Sequence, residues 1–289
     1  METIKHSGVS WVVGHTARIL SGLRRRWNLA ITKRQQEHIV NRGFFRHHPI
    51  CCNLCGHCGI ATYLDLADSW VSFMGIDLLR ENVVCRDCGS SARYRALGVV
   101  VAQACRVLEE YSQQKLVVLD TDPTSRLQPL FAGNSCYRRS GYSSNVPSGS
   151  EIEPGITCVD LQKMPFANES LDMLISSDVL EHVDNDSLSF QEAYRVLRPG
   201  GRYVFTVPFA AERLATQIRA LPVPDGGFVH RRSVQLHGDR PCPILAKRIY
   251  GRDLIQQVES YGFRMLHRQV VDIAAGIFGV DVFEAQKQK

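Results

Sequence analysis

The chain has 289 residues, of which 44% are hydrophobic and 22% are charged. This is the composition of a folded globular protein, and it excludes a disordered or collagen-like chain. Lys and Arg number 34 against 29 for Asp and Glu, and the formal charge of +5 does not by itself imply nucleic acid. At roughly 100–200 residues per domain, the length allows one large domain, or a large and a small one.

The first 50 residues form a basic segment that we predict to be partly helical. Apolar residues from Trp11 to Leu23 stand at rough helical spacing, and the run Arg24–Arg26 follows them. Such a helix could lie on an acidic membrane surface, bind nucleic acid, or pack on the body of the protein. No signal-peptide pattern is present, and no stretch reaches the roughly 18–20 apolar residues of a membrane span. We therefore expect a cytoplasmic protein with reduced thiols.

Six of the ten cysteines lie between residues 51 and 88. Two C-x-x-C-G motifs stand there, at Cys52–Gly56 and Cys85–Gly89. Two residues between cysteines let a tight turn aim both sulfurs at one ion, and two such turns complete a four-sulfur zinc shell. Because protein ligands would fill every position, we predict a structural zinc rather than a catalytic one. The predicted ligands are Cys52, Cys55, Cys85 and Cys88.

Alternatives to this ligand set remain open. A further C-x-x-C-G, Cys55–Gly59, overlaps the first, so His57 or Cys58 could replace one ligand, and Cys51 has no assigned use. The cysteines could also be buried thiols without a metal. A redox role is disfavoured, because no thioredoxin-like strand precedes either pair. We predict a zinc-ribbon-like module over residues 51–92.

Beyond the cysteines, short apolar runs alternate with helical patterns. The predicted strands are 116–119, 157–159, 173–175, 203–207 and 265–270. The predicted helices are 91–111, 186–197 and 251–260, with a turn at 199–201 and a loop over 140–155. Strands that alternate with helices at this spacing predict an α/β fold with a mostly parallel sheet, whose ligands bind at the carboxyl ends of the strands.

The most informative motifs are DLQKMPF at 160–166, LDMLISSDVLEHV at 171–183 and YRVLRPGGR at 194–202. These motifs resemble the class I S-adenosylmethionine-dependent methyltransferases, in particular their type 11 group, over about residues 115–270. The cysteine pairs, with CGSSARYR at 88–95, resemble a bacterial subset that carries an N-terminal zinc ribbon. The resemblance implies a Rossmann-like sheet with helices on both faces over residues 93–289. It also implies methyl transfer from S-adenosylmethionine.

The resemblance further implies a cofactor site at the carboxyl edge of the sheet. Asp160 would accept the adenine amino hydrogen, and the backbone N–H of Leu161 would donate to the ring. Asp178 would lie beside the methionine part of the cofactor, at the end of the next strand. The implied cofactor-binding residues are Asp120, Thr121, Asp160, Leu161, Ser177 and Asp178.

The motif LEHV places Glu181 and His182 after the third strand, facing the same cleft. His182 is the candidate general base, with Glu181 beside it as the second candidate catalytic residue. Alternatively, His182 is a helix-start residue that the local backbone satisfies. The stretch 225–243, rich in Gly, His and Arg, could be a substrate-facing flap or a solvated loop.

Two features depart from the group. The first cofactor turn, Leu119–Arg126, has no glycine, and the segment Cys136–Ser140 has no acidic residue for the ribose. Three hypotheses follow: a methyltransferase for a small-molecule or glycan acceptor, a non-catalytic binding or scaffold protein, and an RNA- or DNA-directed methyltransferase. The last is disfavoured, because aromatic stacking platforms are sparse and the charge is modest. The sequence does not indicate the acceptor or the oligomeric state.

Overall fold

The computed structural model describes residues 49–64, 79–111, 115–223, 227–232, 234, 236–237 and 244–288. All of them lie in one compact unit, Phe45–Lys289. The predicted N-terminal helix lies outside the described residues, as does much of the stretch 225–243. Within the described part of the chain, no helix combines the length and the apolar character that a membrane crossing needs.

The two cysteine pairs lie next to small antiparallel strands. β1 (Pro49–Cys51) pairs with β2 (Cys58–Ile60), and β3 (Thr62–Tyr63) pairs with β4 (Val83–Val84), which follows the short helix α1 (Leu79–Asn82). The first cysteine pair lies in the connection between β1 and β2, and the second lies directly after β4. We call residues 49–64 and 79–95 the cysteine-rich segment.

The main sheet has eight strands: β5 (Val118–Asp120), β6 (Tyr137–Gly141), β7 (Glu151–Glu153), β8 (Ile156–Cys158), β9 (Leu171–Ser177), β10 (Leu197–Thr206), β17 (Phe263–Asp272) and β18 (Ile277–Lys287). Their order in the sheet is β17-β18-β10-β9-β5-β6-β8-β7. β10, β9, β5, β6 and β8 run parallel, whereas β7 and the β17–β18 hairpin run antiparallel to their neighbours. The prediction of a mostly parallel, Rossmann-like sheet is confirmed.

The longer helices that pack on this sheet are α2 (Ala92–Tyr111), α3 (Asp186–Val196) and α4 (Asp253–Glu259), and α1 contacts β18. In β10 every residue from Gly201 to Thr206 is buried, as expected for a strand covered on both faces. Tyr203 and Phe205 join the hydrophobic core with Phe190 of α3. The Oδ1 atom of Asn185 caps α3 by accepting from two backbone N–H groups of its first turn.

An insert of three small antiparallel pairs follows β10. Its strands are β11 (Gln217–Ile218), β12 (Ala220–Pro222), β13 (Phe228–His230), β14 (Leu236–His237), β15 (Ile244–Leu245) and β16 (Arg248–Ile249). The base of the insert is bonded to the carboxyl edge of the main sheet, where the N–H of Lys247 donates to the carbonyl of Glu181 at 2.8 Å.

Two sequence-based predictions are wrong. The predicted turn at Pro199–Gly201 lies inside β10, because Leu197 already pairs with Leu171 and the extra residues form a bulge before Arg202. Gly200 has a φ of +82°, which a residue with a side chain rarely adopts. The predicted loop 140–155 contains the end of β6 and all of β7. Both errors arise because strand pairing, which is not local, overrides turn-like composition.

Candidate functional site

The candidate site is centred on the carboxyl ends of β5 and β9, a region that we call the crevice. These strands are neighbours in the sheet, and the chain leaves β5 toward β6 on the other side, so the strand order reverses here. Ligands of open α/β sheets bind at such a reversal. Three predicted site residues meet at this edge: Asp120 ends β5, Ser177 ends β9, and Asp178 follows it.

Asp120 is almost fully buried at the end of β5. Tyr137 donates its hydroxyl to Asp120 Oδ2 at 2.9 Å, and the N–H of Asp122 donates to Asp120 Oδ1 at 3.2 Å. Burial raises the pKa of Asp120 to about 7, although hydrogen bonds from Ser125 and Tyr137 oppose the rise. The carboxyl group of Asp120 can therefore gain or lose a proton near neutral pH.

The turn after β5 forms without a glycine. Among the described residues, the only non-glycine residues with positive φ are Glu169 and Asp178, so this turn needs no left-handed residue. Asp122 Oδ1 accepts from the N–H of Thr124 at 2.8 Å, and a short 3₁₀ helix at Gln128–Phe131 follows. The buried Oγ1 of Thr121 has no hydrogen-bond partner in the described part of the chain.

Asp178 is the most constrained residue of the crevice. Its φ is +54°, a left-handed conformation that costs a non-glycine residue about 1–3 kcal/mol. Arg80 of α1 donates two hydrogen bonds to its carboxylate, at 2.7 and 2.5 Å, and Thr206 Oγ1 donates a third at 2.9 Å. Burial alone would raise the pKa of Asp178, but the charges of Arg80 and Arg93 hold it well below its usual range.

Arg93 joins the cysteine-rich segment to the same strand end. Its Nη1 donates to Ser177 Oγ, and its Nε lies 2.6 Å from Glu81 Oε1 and 3.5 Å from Asp178 Oδ2. Sequence reasoning assigned no role to Arg80 or Arg93. The run CGSSARYR contains Arg93, but its partner Ser177 lies 84 positions further along the chain.

Asp160 and Leu161 follow β8 at the carboxyl edge. Asp160 Oδ1 accepts from both the backbone N–H and the side-chain amide of Gln162, at 2.9 and 3.1 Å. Leu161 is buried in the hydrophobic core. Tyr142 follows β6 and is 65% exposed, and its pKa is raised by partial burial and by the charge of Asp160. This exposed aromatic ring near Asp160 was missed in the sequence.

Glu181 and His182 lie beside the insert. Glu181 is fully buried, and its Oε1 lies 3.6 Å from His182 Nε2. His182 Nδ1 lies 2.9 Å from the carbonyl oxygen of Leu245 in β15. If Nδ1 carries the proton toward that carbonyl, Nε2 is the basic nitrogen. The ring nitrogen Nδ1 of His182 thus contacts a residue of the insert.

The four predicted metal ligands come together. One sulfur atom each from Cys52, Cys55, Cys85 and Cys88 lies within 4.8 Å of all the others. The Cys52–Cys88 and Cys55–Cys85 sulfur distances are both 3.7 Å. A tetrahedral shell with zinc–sulfur bonds of about 2.3 Å requires about 3.8 Å between sulfurs, so the spacing fits zinc.

Backbone hydrogen bonds shape both cysteine turns in the same way. The N–H of Gly56 donates to the carbonyl of Cys52 at 2.8 Å, and the N–H of Gly89 donates to that of Cys85 at 3.0 Å. Both glycines have φ near +70°, at +77° and +70°. The glycine after each pair is therefore required by the left-handed turn that directs the sulfurs inward.

Cys51 and Cys58 form a disulfide bond between the facing ends of β1 and β2. The expectation of reduced thiols is wrong for this pair, and Cys58 is not in the ligand cluster. The cross-strand register places the two residues opposite each other with a Cα–Cα distance of 4.1 Å. Sequence spacing cannot show this register, which is why the use of Cys51 and Cys58 was left open.

Arg95 is a buried cation next to the cysteine cluster. It donates to the backbone carbonyls of Ala275 at 2.6 Å, Val83 at 2.9 Å and Gly276 at 3.2 Å, and to that of Ser90. Burial lowers the pKa of Arg95, and the charges of the four clustered cysteines counteract this effect. The guanidinium therefore provides positive charge beside a cluster of sulfurs that would be negative when ionised.

Comparison with known families finds a match in the central part of the chain. A family model described as a methyltransferase domain matches residues 96–205. The match begins in α2 and ends in β10, so it includes β5, β8, β9 and the crevice. Residues 96–205 are therefore similar to a methyltransferase domain. The predicted resemblance is confirmed for this stretch.

Curated relatives match short parts of the chain. Dimethylglycine N-methyltransferase of Parasynechococcus marenigrum (strain WH8102) is 34% identical over 68 residues, which cover 24% of this chain and 24% of the relative. Malonyl-[acyl-carrier protein] O-methyltransferase of Methylococcus capsulatus is 34% identical over 86 residues, covering 28% of this chain and 31% of the relative. The alignments span less than a third of either relative.

Solved structures resemble the chain more distantly. An S-adenosylmethionine-dependent methyltransferase from Mesorhizobium loti has 14% identity and a TM-score of 0.43, covering 69% of this chain and 100% of the other. The Burkholderia thailandensis 1,6-didemethyltoxoflavin-N1-methyltransferase, solved with S-adenosylhomocysteine, has 16% identity and a TM-score of 0.41, covering 65% and 77%.

Proposed function

We propose that the protein transfers a methyl group from S-adenosylmethionine to a small-molecule or glycan acceptor. The observation that carries this proposal is the methyltransferase-domain match, because residues 96–205 contain the carboxyl ends of β5, β8 and β9. The curated relatives act, by their names, on dimethylglycine and on a malonyl group held by a carrier protein. These names support a small acceptor with an amine or carboxyl group.

The crevice offers groups that suit this cofactor. When bound, S-adenosylmethionine supplies a methyl group that its sulfonium already activates, so alignment is the main task of the protein. Asp160 would accept the adenine amino group, and the exposed ring of Tyr142 offers a flat surface for a base. The buried Oγ1 of Thr121 is a polar atom that a cofactor could satisfy.

His182 would take up the proton that the acceptor loses. Its Nδ1 lies against the Leu245 carbonyl, so the ring is oriented and Nε2 is the basic position. Glu181 Oε1 at 3.6 Å from Nε2 would stabilise the protonated ring. Leu245 belongs to the insert, which would lie on the acceptor side of the site. Its hydrogen bond with His182 would therefore connect the insert to the base.

We also propose that the four-cysteine cluster holds one structural zinc ion. The sulfur spacing fits a tetrahedral shell, and all four positions would be filled by protein, so the ion would fix the fold rather than bind substrate. We place the protein in the cytoplasm as part of this proposal, because a reducing compartment keeps the ligand thiols available. The exposed Cys51–Cys58 bridge would be accessible to reductants there.

Calorimetric titration of the zinc-loaded protein with S-adenosylhomocysteine tests the proposed function. We expect one site of micromolar affinity. Asp160→Ala should weaken binding at least about tenfold, since it removes a charged hydrogen-bond acceptor. Asp281→Ala is the control, because Asp281 pairs with His267 on the β17–β18 hairpin. Absence of binding by the wild-type protein would sink the proposal.

A non-catalytic binding or scaffold protein is the second candidate. The observation in its favour is the turn after β5, where Thr121 and Asp122 carry side chains at the positions expected for glycine, and only a 3₁₀ turn follows. A scaffold would bind neither S-adenosylmethionine nor its demethylated product. The same titration therefore separates the two candidates.

A further inference from the structure

The start of α2 lies across the crevice that we assign to the cofactor. Two consecutive residues, Arg93 and Tyr94, reach two neighbouring strand ends. Arg93 Nη1 donates to Ser177 Oγ at the end of β9, and Tyr94 donates its hydroxyl to Asp122 Oδ2 in the turn after β5. The cysteine-rich segment therefore contacts both sides of the strand-order reversal.

A balanced group of buried charges forms this contact. The cysteine-rich segment contributes Arg80, Glu81 and Arg93, and the sheet contributes Asp178. The side chains of Arg80 and Asp178 are only 5% and 10% exposed. Separating Arg80 from Asp178 would leave a buried charge without its partner, which is energetically costly. The ion pairs therefore depend on the cysteine-rich segment being held against the sheet.

The backbone at Asp178 depends on this group. Its left-handed φ of +54° persists because Arg80 and Thr206 hold the carboxylate from two directions. If the Arg80 contact were lost, the chain after β9 would lose the interaction that compensates this strained conformation. The same residues line the crevice, so a change at Asp178 would alter the shape of the site.

The second cysteine pair connects Arg80 and Arg93 to the four-cysteine cluster. Arg80 stands five positions before Cys85, and Arg93 stands five positions after Cys88. The N–H of Cys85 donates to the carbonyl of Ser90 at 2.9 Å, so the intervening chain closes on itself. A metal bound by both cysteines would fix this closed turn and hence the relative position of the two arginines.

We infer that the cysteine-rich segment forms one wall of the cofactor site, and that Arg80 and Arg93 are positioning residues through which metal occupancy sets cofactor affinity. This inference rests on the proposed function. It makes the metal a determinant of cofactor binding and not only of stability. Thermodynamic linkage then requires the converse, that the cofactor strengthens metal binding by the same factor.

Two titrations test the inference in the intact chain. The first measures S-adenosylhomocysteine affinity in zinc-loaded and chelator-stripped protein, with circular dichroism to show that the sheet is retained. We expect about tenfold weaker binding without zinc and full recovery when zinc is restored. The second measures zinc affinity by chelator competition with and without S-adenosylhomocysteine. We expect the same factor of about ten.

Variants then assign the effect to the arginines. Arg80→Gln and Arg93→Gln should each keep one zinc per chain and weaken S-adenosylhomocysteine binding about tenfold, and Arg93→Lys should recover part of the loss. Arg198→Gln is the matched control, since Arg198 also makes two hydrogen bonds of 2.7 Å to an aspartate, Asp172, but at the opposite end of β9. It should leave both affinities unchanged.

The outcomes separate this inference from the function on which it rests. If zinc-loaded wild-type protein binds no S-adenosylhomocysteine, both the proposed function and the inference are overturned. If the wild type binds but zinc removal and the Arg→Gln variants change affinity by less than about twofold, the inference alone is overturned. Should the glutamine variants fail to fold, the linkage titration on the wild type decides, because equal zinc affinity with and without the ligand contradicts the coupling.

Discussion

Tyr137 of β6 donates its hydroxyl to the buried carboxyl group of Asp120 at the end of β5, with an oxygen–oxygen distance of 2.9 Å. The Tyr137 ring stacks on Phe131, with centroids 4.5 Å apart, so the donor is held in place. Even with this bond, burial raises the pKa of Asp120 to about 7. The end of the first parallel strand therefore carries a carboxyl group that is protonated in mildly acidic solution.

Replacing Asp120 by asparagine should reduce the dependence of stability on pH. The folded-state pKa of Asp120 is raised from 3.8 to about 7, so the folded protein holds a proton that the unfolded chain has released between these values. The proton on Asp120 therefore contributes most to the free energy of unfolding below pH 4. This contribution, about 4 kcal/mol, is lost as the pH rises toward 7. Asp120→Asn should be more stable than the wild type at pH 8 and similar at pH 4, as measured by urea unfolding.

Tyr137→Phe is the matching variant. It keeps the ring that stacks on Phe131 and removes the hydroxyl that favours the ionised carboxylate, so the pKa of Asp120 should rise further. The loss of stability between pH 5 and pH 8 should then be larger than in the wild type. Equal pH profiles for wild type, Asp120→Asn and Tyr137→Phe would contradict this assignment.

Removing the charge of Asp178 should destabilise the fold strongly. Asp178→Asn preserves shape and tolerates positive φ, but it leaves Arg80 buried opposite a neutral amide. We expect a loss of about 3–5 kcal/mol in the free energy of unfolding. Asp172→Asn is the control, because its partner Arg198 is 44% exposed and an exposed pair contributes at most about 1 kcal/mol. Similar losses in both variants would refute the special role of Asp178.

Zinc content should depend on the four clustered cysteines and on no other. Cys85→Ser should lower zinc below one ion per chain and reduce the unfolding free energy by at least about 3 kcal/mol, or about 10 °C in Tm. Cys136→Ser should change neither value, since Cys136 is a free cysteine outside the cluster. Cys58→Ser should also retain zinc, because Cys58 is bonded to Cys51. Atomic emission spectrometry and thermal melting measure both quantities, and zinc loss on Cys58→Ser would revise the ligand set.

Arg95 should strengthen zinc retention through its charge. It is fully buried, and the acceptors that the structure describes for it are backbone carbonyls. A zinc ion with four thiolates has a net charge of −2, which the guanidinium would partly offset. We expect Arg95→Gln to weaken zinc binding about tenfold or more in chelator competition, as groups around metal ligands commonly do. Unchanged zinc affinity in a folded Arg95→Gln protein would contradict the argument.

The sequence predicted those features that depend only on residues close together in the chain, such as buried strands and the turns after the cysteine pairs. The buried runs before Asp120 and Ser177 have the apolar composition of parallel strands, and the glycine after each cysteine pair marks a left-handed turn. The spacing of two cysteines in each pair was enough to predict the cluster of sulfurs. These predictions needed no contact between distant parts of the chain.

Contacts between distant residues could not be predicted in this way. Arg80 and Asp178 are 98 positions apart, and nothing in either local sequence shows that they meet. The Cys51–Cys58 bond depends on the register of β1 and β2, which a shift of one residue would change. Leu245, which contacts the ring of His182, likewise belongs to the insert, 63 positions away.

His182→Gln tests the proposed base. Glutamine can donate its amide to the Leu245 carbonyl but cannot take up a proton, so the surroundings should be preserved while the chemistry is lost. With an acceptor found by screening small amines and carboxylic acids for S-adenosylhomocysteine release, we expect turnover to fall by about 10²–10⁴. Cofactor affinity should stay unchanged. His267→Gln, on the β17–β18 hairpin, is the control and should keep full turnover. Full turnover in His182→Gln would show that the acceptor loses its proton to another group or to water.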